Sequence, residues 1–179
     1  MINTLGELYN YTNEILLQGE LDSINVVIEY FEEAQQMIAL QDPIEAKITI
    51  PLTSNVIILP ADYQDLCKIK VDYENMQIEV IPAEIWGSEM TLNPLYNTGN
   101  AYLYYYKRPT LLNPSNASQV PDIDSRYLPQ IAKYAAKMYY LVDDDQEQAE
   151  EFRKSFFDTM TYYNKLNGNS KSFNFRNVW

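Results

Sequence analysis

The sequence predicts an α+β fold, a four-helix bundle with a small antiparallel β-sheet inserted between the second and third helices. Apolar residues recur at helical spacing near both ends of the 179-residue chain, but the period changes to two in the middle. Neither pair of helices can bury its apolar stripe alone, so we expect all four to pack together. The predicted parts are a bundle core of 1–44 and 110–167, a β insertion of 45–109 and an extended C-terminal tail of 168–179.

The ends of the two N-terminal helices can be read from capping residues. Thr4 and Glu7 form a capping-box pattern, in which each side chain reaches the backbone of the other. Gly19 is the residue type that commonly ends a helix. Asp22 or Ser23 is positioned to cap the second helix, which follows at once.

The middle of the chain is predicted to form short strands. Pro51 has no N–H for a central strand to use, so its strand is expected at a sheet edge. Glu74-Asn75 is a plausible hairpin turn between two strands. Residues 82–100 are predicted to be irregular, with Ile85-Trp86 pinned to the sheet. Residues 101–109 form the last strand, which places aromatic side chains on both of its faces.

Two further helices are predicted after a polar connector. Asp124 or Ser125 can cap the third helix, whose first turn tolerates Pro129. The fourth runs from about residue 146 to 166, and the short link implies a helical hairpin. The acidic run at 143–145 suggests either a divalent-cation site or a helix cap. We favour the cap, because the spacing is not that of a calcium loop and acids stabilise a helix N-terminus.

Composition excludes several classes of protein. The net charge of -12 argues against a nucleic-acid-binding surface, and histidine, the commonest general base and metal ligand, is absent. There is no pattern of a signal peptide and no apolar run long enough for a membrane span. The one cysteine, Cys67, has no histidine to activate it, so we expect a buried, inert thiol. With no glycine-rich phosphate loop either, no catalytic residue, cofactor site or metal site is predicted.

Tyrosine is over-represented, with 16 copies, and three of them alternate along the last strand. The strand has three interpretations: sheet core with cross-strand pairs, a sugar- or peptide-binding face, or a subunit interface. One face must pack on the insertion's own core, and the rings left over favour an interface. The inter-subunit or tail-side candidates are Tyr102, Tyr104, Tyr106 and Trp86.

The C-terminal tail differs in composition from the acidic remainder of the chain. From residue 165 to the end it has three basic residues and no acidic one. It is either a frayed terminus or a segment that becomes ordered on a partner. The last twelve residues include three large aromatic residues, and rings exposed in a free terminus lower solubility. This composition favours a segment that becomes ordered on a partner. The predicted arm residues are Lys171, Phe173, Phe175, Arg176 and Trp179.

Four motifs, in this order and spacing, carry a resemblance to a known family. They are Leu-Pro-Ala-Asp-Tyr at 59–63, Tyr-Tyr-Tyr-Lys-Arg-Pro at 104–109, Val-Pro-Asp-Ile-Asp-Ser-Arg-Tyr at 120–127, and Tyr-Ala-Ala-Lys-Met-Tyr-Tyr at 134–140 followed by Ala-Glu-Glu-Phe at 149–152. The layout resembles the head-to-tail adaptor proteins of tailed bacteriophages, also called connector or head-completion proteins. The tyrosine content and the stretch 82–100 depart from that pattern.

The resemblance implies a structural virion protein rather than an enzyme, assembled in the host cytoplasm and located in the neck. Such proteins form a ring, usually of twelve copies, under the portal protein. The helical part docks on the portal, the C-terminal segment reaches along it, and the ring receives a tail or stopper protein. DNA passes through the lumen without specific binding, and no membrane or cofactor is involved. Candidate lumen acids are Glu29, Glu32, Glu33 and the segment 143–151, with a solvated outer face as the alternative.

Two other functions fit the sequence less well. Within the same class, the chain would be a tail-completion or fibre-attachment protein. In a different class, it would be a small binding module with an aromatic face for a sugar or peptide. A location beside portal and major capsid genes would favour the adaptor over both.

Overall fold

The structure, a computed structural model, describes residues 2–166. Over that range the chain forms four α-helices and seven strands in two antiparallel sheets. The helices are α1 Leu5–Asn10, α2 Ile28–Ala39, α3 Leu128–Val142 and α4 Gln146–Leu166. A π-helix, Tyr11–Leu16, directly follows α1, and 3₁₀-helices occupy Ile24–Val26 and Ser125–Tyr127. The strands are β1 Ile44–Pro51, β2 Val56–Ile58, β3 Tyr63–Tyr73, β4 Met76–Val80, β5 Glu84–Trp86, β6 Glu89–Thr91 and β7 Asn100–Lys107.

The prediction of a four-helix bundle with a small β insertion is wrong. The seven strands make up a large part of the fold and have a hydrophobic core of their own. The helices differ greatly in length, because α1 has six residues whereas α4 has 21. A helix of under two turns cannot supply one full side of a four-helix seam. Instead α4, α2, α1 and the π-helix each pack against α3.

The chain divides into two compact units. The helical unit contains the described parts of Met1–Asp42 and Pro109–Trp179, and the β unit is Pro43–Arg108. Within each unit, neighbouring elements pack their apolar side chains against one another. The chain therefore leaves the helical unit once and returns to it once.

Local sequence signals explain the ends of the helices. Thr4 and Glu7 form the predicted capping box at α1, and the π-helix is followed by Gly19 at φ +88°. The Asp124 side chain accepts a hydrogen bond from the Arg126 N–H, so it caps the 3₁₀-helix that leads into α3. It does not cap α3 itself, whose N-cap residue Tyr127 makes no side-chain capping bond. Asp145 accepts from the N–H of Gln148 at 3.1 Å, so the acidic run supplies a cap for α4.

The tyrosine-rich strand β7 is central rather than terminal in its sheet. The order of the larger sheet is β1-β7-β3-β4, so β7 pairs with both β1 and β3. Pro51 is the last residue of β1 and lies at the sheet edge, as predicted. The Glu74-Asn75 hairpin is also confirmed, with φ of +47° and +65° at the two turn residues.

The turn at 59–63 is bonded directly to the end of β7. The carbonyl of Asp62 accepts from the Arg108 N–H at 2.7 Å, and its carboxylate accepts from the Tyr105 hydroxyl at 3.0 Å. The Tyr105 ring also stacks on Tyr63. Two of the motifs noted in the sequence thus meet in one set of contacts within the β unit.

The prediction that 82–100 is irregular is wrong. Strands β5 and β6 form a hairpin across Gly87 and Ser88, and β6 also pairs with β2. Gly87 has φ +57°, which the tight turn requires. Strands of three residues leave too short an alternation to be recognised in the sequence. The resulting sheet has the order β2-β6-β5.

Candidate functional site: two outer faces of the β unit

The two sheets of the β unit share a single hydrophobic core. The larger sheet contributes buried side chains from β3 and β7, and the smaller sheet contributes them from β2 and β6. Their inward-facing members are Ile57, Ile69, Val71, Met90, Ala101, Leu103 and Tyr105. Because side chains alternate along a strand, the neighbouring residues of each sheet point away from this core. The β unit therefore has two outer faces, one on each sheet.

The outer face of the larger sheet is formed by alternating tyrosine and lysine side chains. We call it the tyrosine face. It includes Lys47, Lys68, Lys70, Tyr102, Tyr104 and Tyr106, together with Glu45, Thr49 and Asp65. In the antiparallel register Tyr104 lies opposite Lys47 on one side and Lys68 on the other. Three of the four predicted interface residues, the tyrosines, are thus brought together on one surface.

Two ammonium groups flank the ring of Tyr104. The Nζ atom of Lys68 is 5.0 Å from the ring centroid, and that of Lys47 is 5.1 Å away. Lys47 Nζ is also 5.6 Å from the ring of Tyr102. These are cation–π distances, which hold the lysine side chains across the rings. No carboxylate in the described part of the chain forms an ion pair with either lysine.

The carboxylates of this face lie on either side of the lysines. Glu45 of β1 and Asp65 of β3 both lie opposite Tyr106. Asp72 accepts hydrogen bonds from the Tyr102 hydroxyl at 3.3 Å and from the side-chain amide of Asn100 at 3.0 Å. Glu79 lies directly opposite Lys70 in the β3–β4 register. The lysine side chains therefore form a positive band around Tyr104, with carboxylates on either side of it along the strands.

Cys67 lies on the tyrosine side, contrary to the prediction of a buried thiol. Leu66 pairs with Tyr105 and Lys68 with Tyr104, so Cys67 is the additional residue of a β-bulge and its thiol is exposed. Partial desolvation, the largest effect, raises the pKa of the Cys67 thiol, although a hydrogen bond with Tyr106 opposes the shift. The same hydrogen bond raises the pKa of Tyr106. A thiol that is mostly protonated at neutral pH is a weak nucleophile.

The outer face of the smaller sheet combines apolar and acidic side chains, with Glu89 on the central strand between Trp86 and Ile58. We call it the tryptophan face. It consists of Val56, Ile58, Glu84, Trp86, Glu89 and Thr91. Trp86 is 81% exposed and Ile58 is 63% exposed, although both lie in strands. A shallow depression of about 430 Å³ is lined by Glu84, Trp86, Glu89 and Thr91.

The structure thus separates Trp86 from the three predicted tyrosines. Trp86 does not pin its segment to the sheet, because its side chain is 81% exposed. The adjacent Ile85 lies opposite the buried Met90 but is itself 41% exposed. The lysines of the tyrosine face and the acids beside Trp86 were not among the residues predicted from the sequence. The alternation of Lys47 with Ile48 and of Lys68 with Ile69 was a usable signal for the lysines.

The predicted lumen acids of the helical unit differ in their contacts. Glu32 accepts a hydrogen bond from the Leu112 N–H at 2.8 Å. Burial, together with a hydrogen bond from Tyr134 to Glu33, raises the pKa of Tyr134. These two acids therefore bind parts of the helical unit. Glu29 and Glu151 are exposed on α2 and α4.

An acidic end forms where two loops of the helical unit come together. Burial and the carboxylates of Glu20, Asp143 and Asp22 all raise the pKa of Tyr139. Asp144 in the same loop has φ +62°. Even so, no group of three acidic or cysteine side chains within residues 2–166 is arranged to hold a metal ion. None of the helices in that range is long and apolar enough to cross a membrane.

The predicted arm residues Lys171, Phe173, Phe175, Arg176 and Trp179 lie outside the described residues.

Comparison with known protein families gives a match that covers nearly the whole chain. A family model described as SU10 adaptor protein matches residues 3–172. A search of curated proteins gives no match.

Proposed function

Because the chain belongs to the SU10 adaptor protein family, a family of phage head-to-tail adaptors, we propose that it forms an oligomeric ring connecting the portal to the tail. The family assignment makes the chain a virion component that contacts other head or tail proteins, with a structural role. The ring, its copy number of about twelve and the portal and tail contacts are our proposal. The match over residues 3–172 is the observation that carries it.

The surfaces of the β unit support this proposal. Exposed apolar side chains that share one face mark interaction sites, and Trp86, Ile58 and Val56 are all exposed on the same face of the smaller sheet. Tyrosine and tryptophan are enriched at protein interfaces, because one rigid ring offers apolar area and a polar group. Both outer faces of the unit therefore have the composition of contact surfaces.

A reconstruction of purified particles tests the ring directly. We expect a ring of this protein between the portal and the tail, with density matching both units of the fold. If the protein is not found in purified virions, or lies elsewhere in the particle, the proposed function is wrong. If it is present at the neck as a single copy, the ring is wrong although the adaptor assignment stands.

We also propose that the segment after residue 166 is an arm that grips the portal. Its basic and aromatic composition supports this, since the rest of the chain is strongly acidic. Particles carrying a chain truncated after Leu166 should fill with DNA but fail to retain the ring. A second variant keeps the full length but replaces Phe173, Phe175 and Trp179 by serine, and it should also fail to retain the ring. Normal ring attachment by both variants would overturn the role of the arm.

DNA would pass through the lumen of such a ring without being held. Residues 1–42 contain eight Asp and Glu and neither Lys nor Arg, so a lumen that includes them would repel the phosphate backbone. Since Glu32 and Glu33 bind other parts of the helical unit, the exposed acids Glu29 and Glu151 are the better lumen candidates. Lysine at both positions should slow DNA exit during infection, measured as the time to genome release.

A further inference from the structure

We propose that neighbouring copies in the ring contact each other through their β units, with the tyrosine face of one copy packed on the tryptophan face of the next. The inference rests on the proposed ring, because it names the surfaces that would build it. Nothing within residues 2–166 covers either face: Trp86 and Ile58 remain mostly exposed on one side, and Lys47 and Lys68 are exposed on the other.

The placement of the two faces matches the geometry of a ring. They lie on the outer sides of two sheets that share one core, so they point in nearly opposite directions. A ring of twelve turns about 30° per copy, which also requires two contact surfaces that point in nearly opposite directions. Two different surfaces in head-to-tail contact form a heterologous interface, the kind that closes into a ring.

The chemistry of the two faces is complementary. The tyrosine face has two ammonium groups around Tyr104 without an ion-pair partner among residues 2–166. The tryptophan face has two exposed carboxylates: Glu84 lies beside Trp86 along β5, and Glu89 lies between Trp86 and Ile58. When the two faces contact each other, the lysines form ion pairs with the glutamates, and Trp86 packs against the tyrosine rings. Opposite potentials across an interface favour this partner over others.

The same charges disfavour contacts between identical faces. Two tyrosine faces would place the lysines around Tyr104 against each other. Two tryptophan faces would place Glu84 and Glu89 against the same pair of a second copy. Like charges brought together across an interface cost binding free energy. The head-to-tail arrangement instead places Lys47 and Lys68 opposite Glu84 and Glu89.

Cysteine cross-linking in assembled particles tests this arrangement. Thr49 is exposed on the tyrosine side of β1 and Ser88 is exposed in the β5–β6 turn. In a Cys67→Ser background, a chain carrying both Thr49→Cys and Ser88→Cys should give a ladder of dimers, trimers and longer products with a short bismaleimide. Each single-cysteine chain should stay monomeric under the same conditions. Products that stop at dimers, or an uncross-linked chain in particles that contain the ring, would overturn the proposed interface.

Charge reversal gives an independent test with a matched rescue. Lys47→Glu with Lys68→Glu should reduce incorporation into particles at least tenfold, and Glu84→Lys with Glu89→Lys should do the same. A chain with all four changes restores opposite charges across the interface and should recover incorporation. If both double variants are incorporated less and the chain with all four changes does not recover, the proposed pairing of lysines with glutamates is wrong. Rings that form equally well with every variant would reject this interface but leave the proposed function intact.

Discussion

The hydroxyl of Tyr127 donates a hydrogen bond of 2.7 Å to the carboxylate of Asp42. Asp42 is the last residue of the helical unit before the chain enters the β unit, and Tyr127 lies just before α3, after the chain has returned. The same carboxylate oxygen accepts from the Arg126 guanidinium at 2.6 Å. The helical unit is thus closed by a bond between residues that are 85 positions apart.

Replacing this hydroxyl should destabilise the helical unit. Tyr127→Phe removes a hydrogen bond to a charged group while keeping the buried ring, so the free energy of unfolding should fall by about 1.5 to 3 kcal/mol. Tyr162→Phe is the control, because that side chain is 58% exposed. Urea unfolding followed by circular dichroism measures both. Equal stability of Tyr127→Phe and the control would show that the bond to Asp42 adds nothing.

The stability of the helical unit should fall at high pH. Burial, the largest effect, and the hydrogen bond to Asp42 raise the pKa of Tyr127 to about 12. An unfolded tyrosine has a pKa near 10, so the folded state favours the protonated hydroxyl. This contribution is complete below pH 10 and is lost as the pH rises toward 12. Absorbance at 295 nm should show one fewer late-titrating tyrosine in Tyr127→Phe than in the unchanged protein.

The core of the β unit should depend on Leu103, which is fully buried between the two sheets. Leu103→Ala removes buried methyl groups and leaves a cavity, so the free energy of unfolding should fall by about 2 to 5 kcal/mol. Ile58→Ala is the matched control from the same unit, because Ile58 points outward. It should change stability by less than about 0.5 kcal/mol. A similar loss in both variants would contradict the assignment of inner and outer faces.

The β3–β4 turn contains a position where glycine should stabilise the protein. Glu74 has φ +47°, a conformation that is unfavourable for a residue with a Cβ atom. Glu74→Gly should raise the free energy of unfolding by about 0.5 to 1 kcal/mol, since strain relief exceeds the added entropy of the unfolded chain. Glu74→Ala keeps the Cβ atom and removes the same charge. If alanine stabilises as much as glycine, the effect comes from charge rather than from the backbone.

Several features of this protein were determined by short stretches of sequence. The capping box of Thr4 and Glu7 and the hairpin at Glu74-Asn75 both formed where predicted. Each depends on hydrogen bonds or backbone angles within four residues, so neighbouring residues suffice to specify it. The family was also readable from the order and spacing of its motifs, and the match over residues 3–172 confirms it.

The arrangement of the sheets and their surfaces was decided by tertiary structure. Strands β5 and β6 are three residues each and exist because β2 supplies a partner from elsewhere in the chain. The bulge at Cys67 reverses which side of β3 its thiol occupies, and that shift depends on the register with β7. The separation of Trp86 from Tyr104 follows only from the packing of two sheets on one core. Sequence alternation indicates which residues share a face, but only the pairing of distant strands determines whether that face packs on the core or lies at the surface.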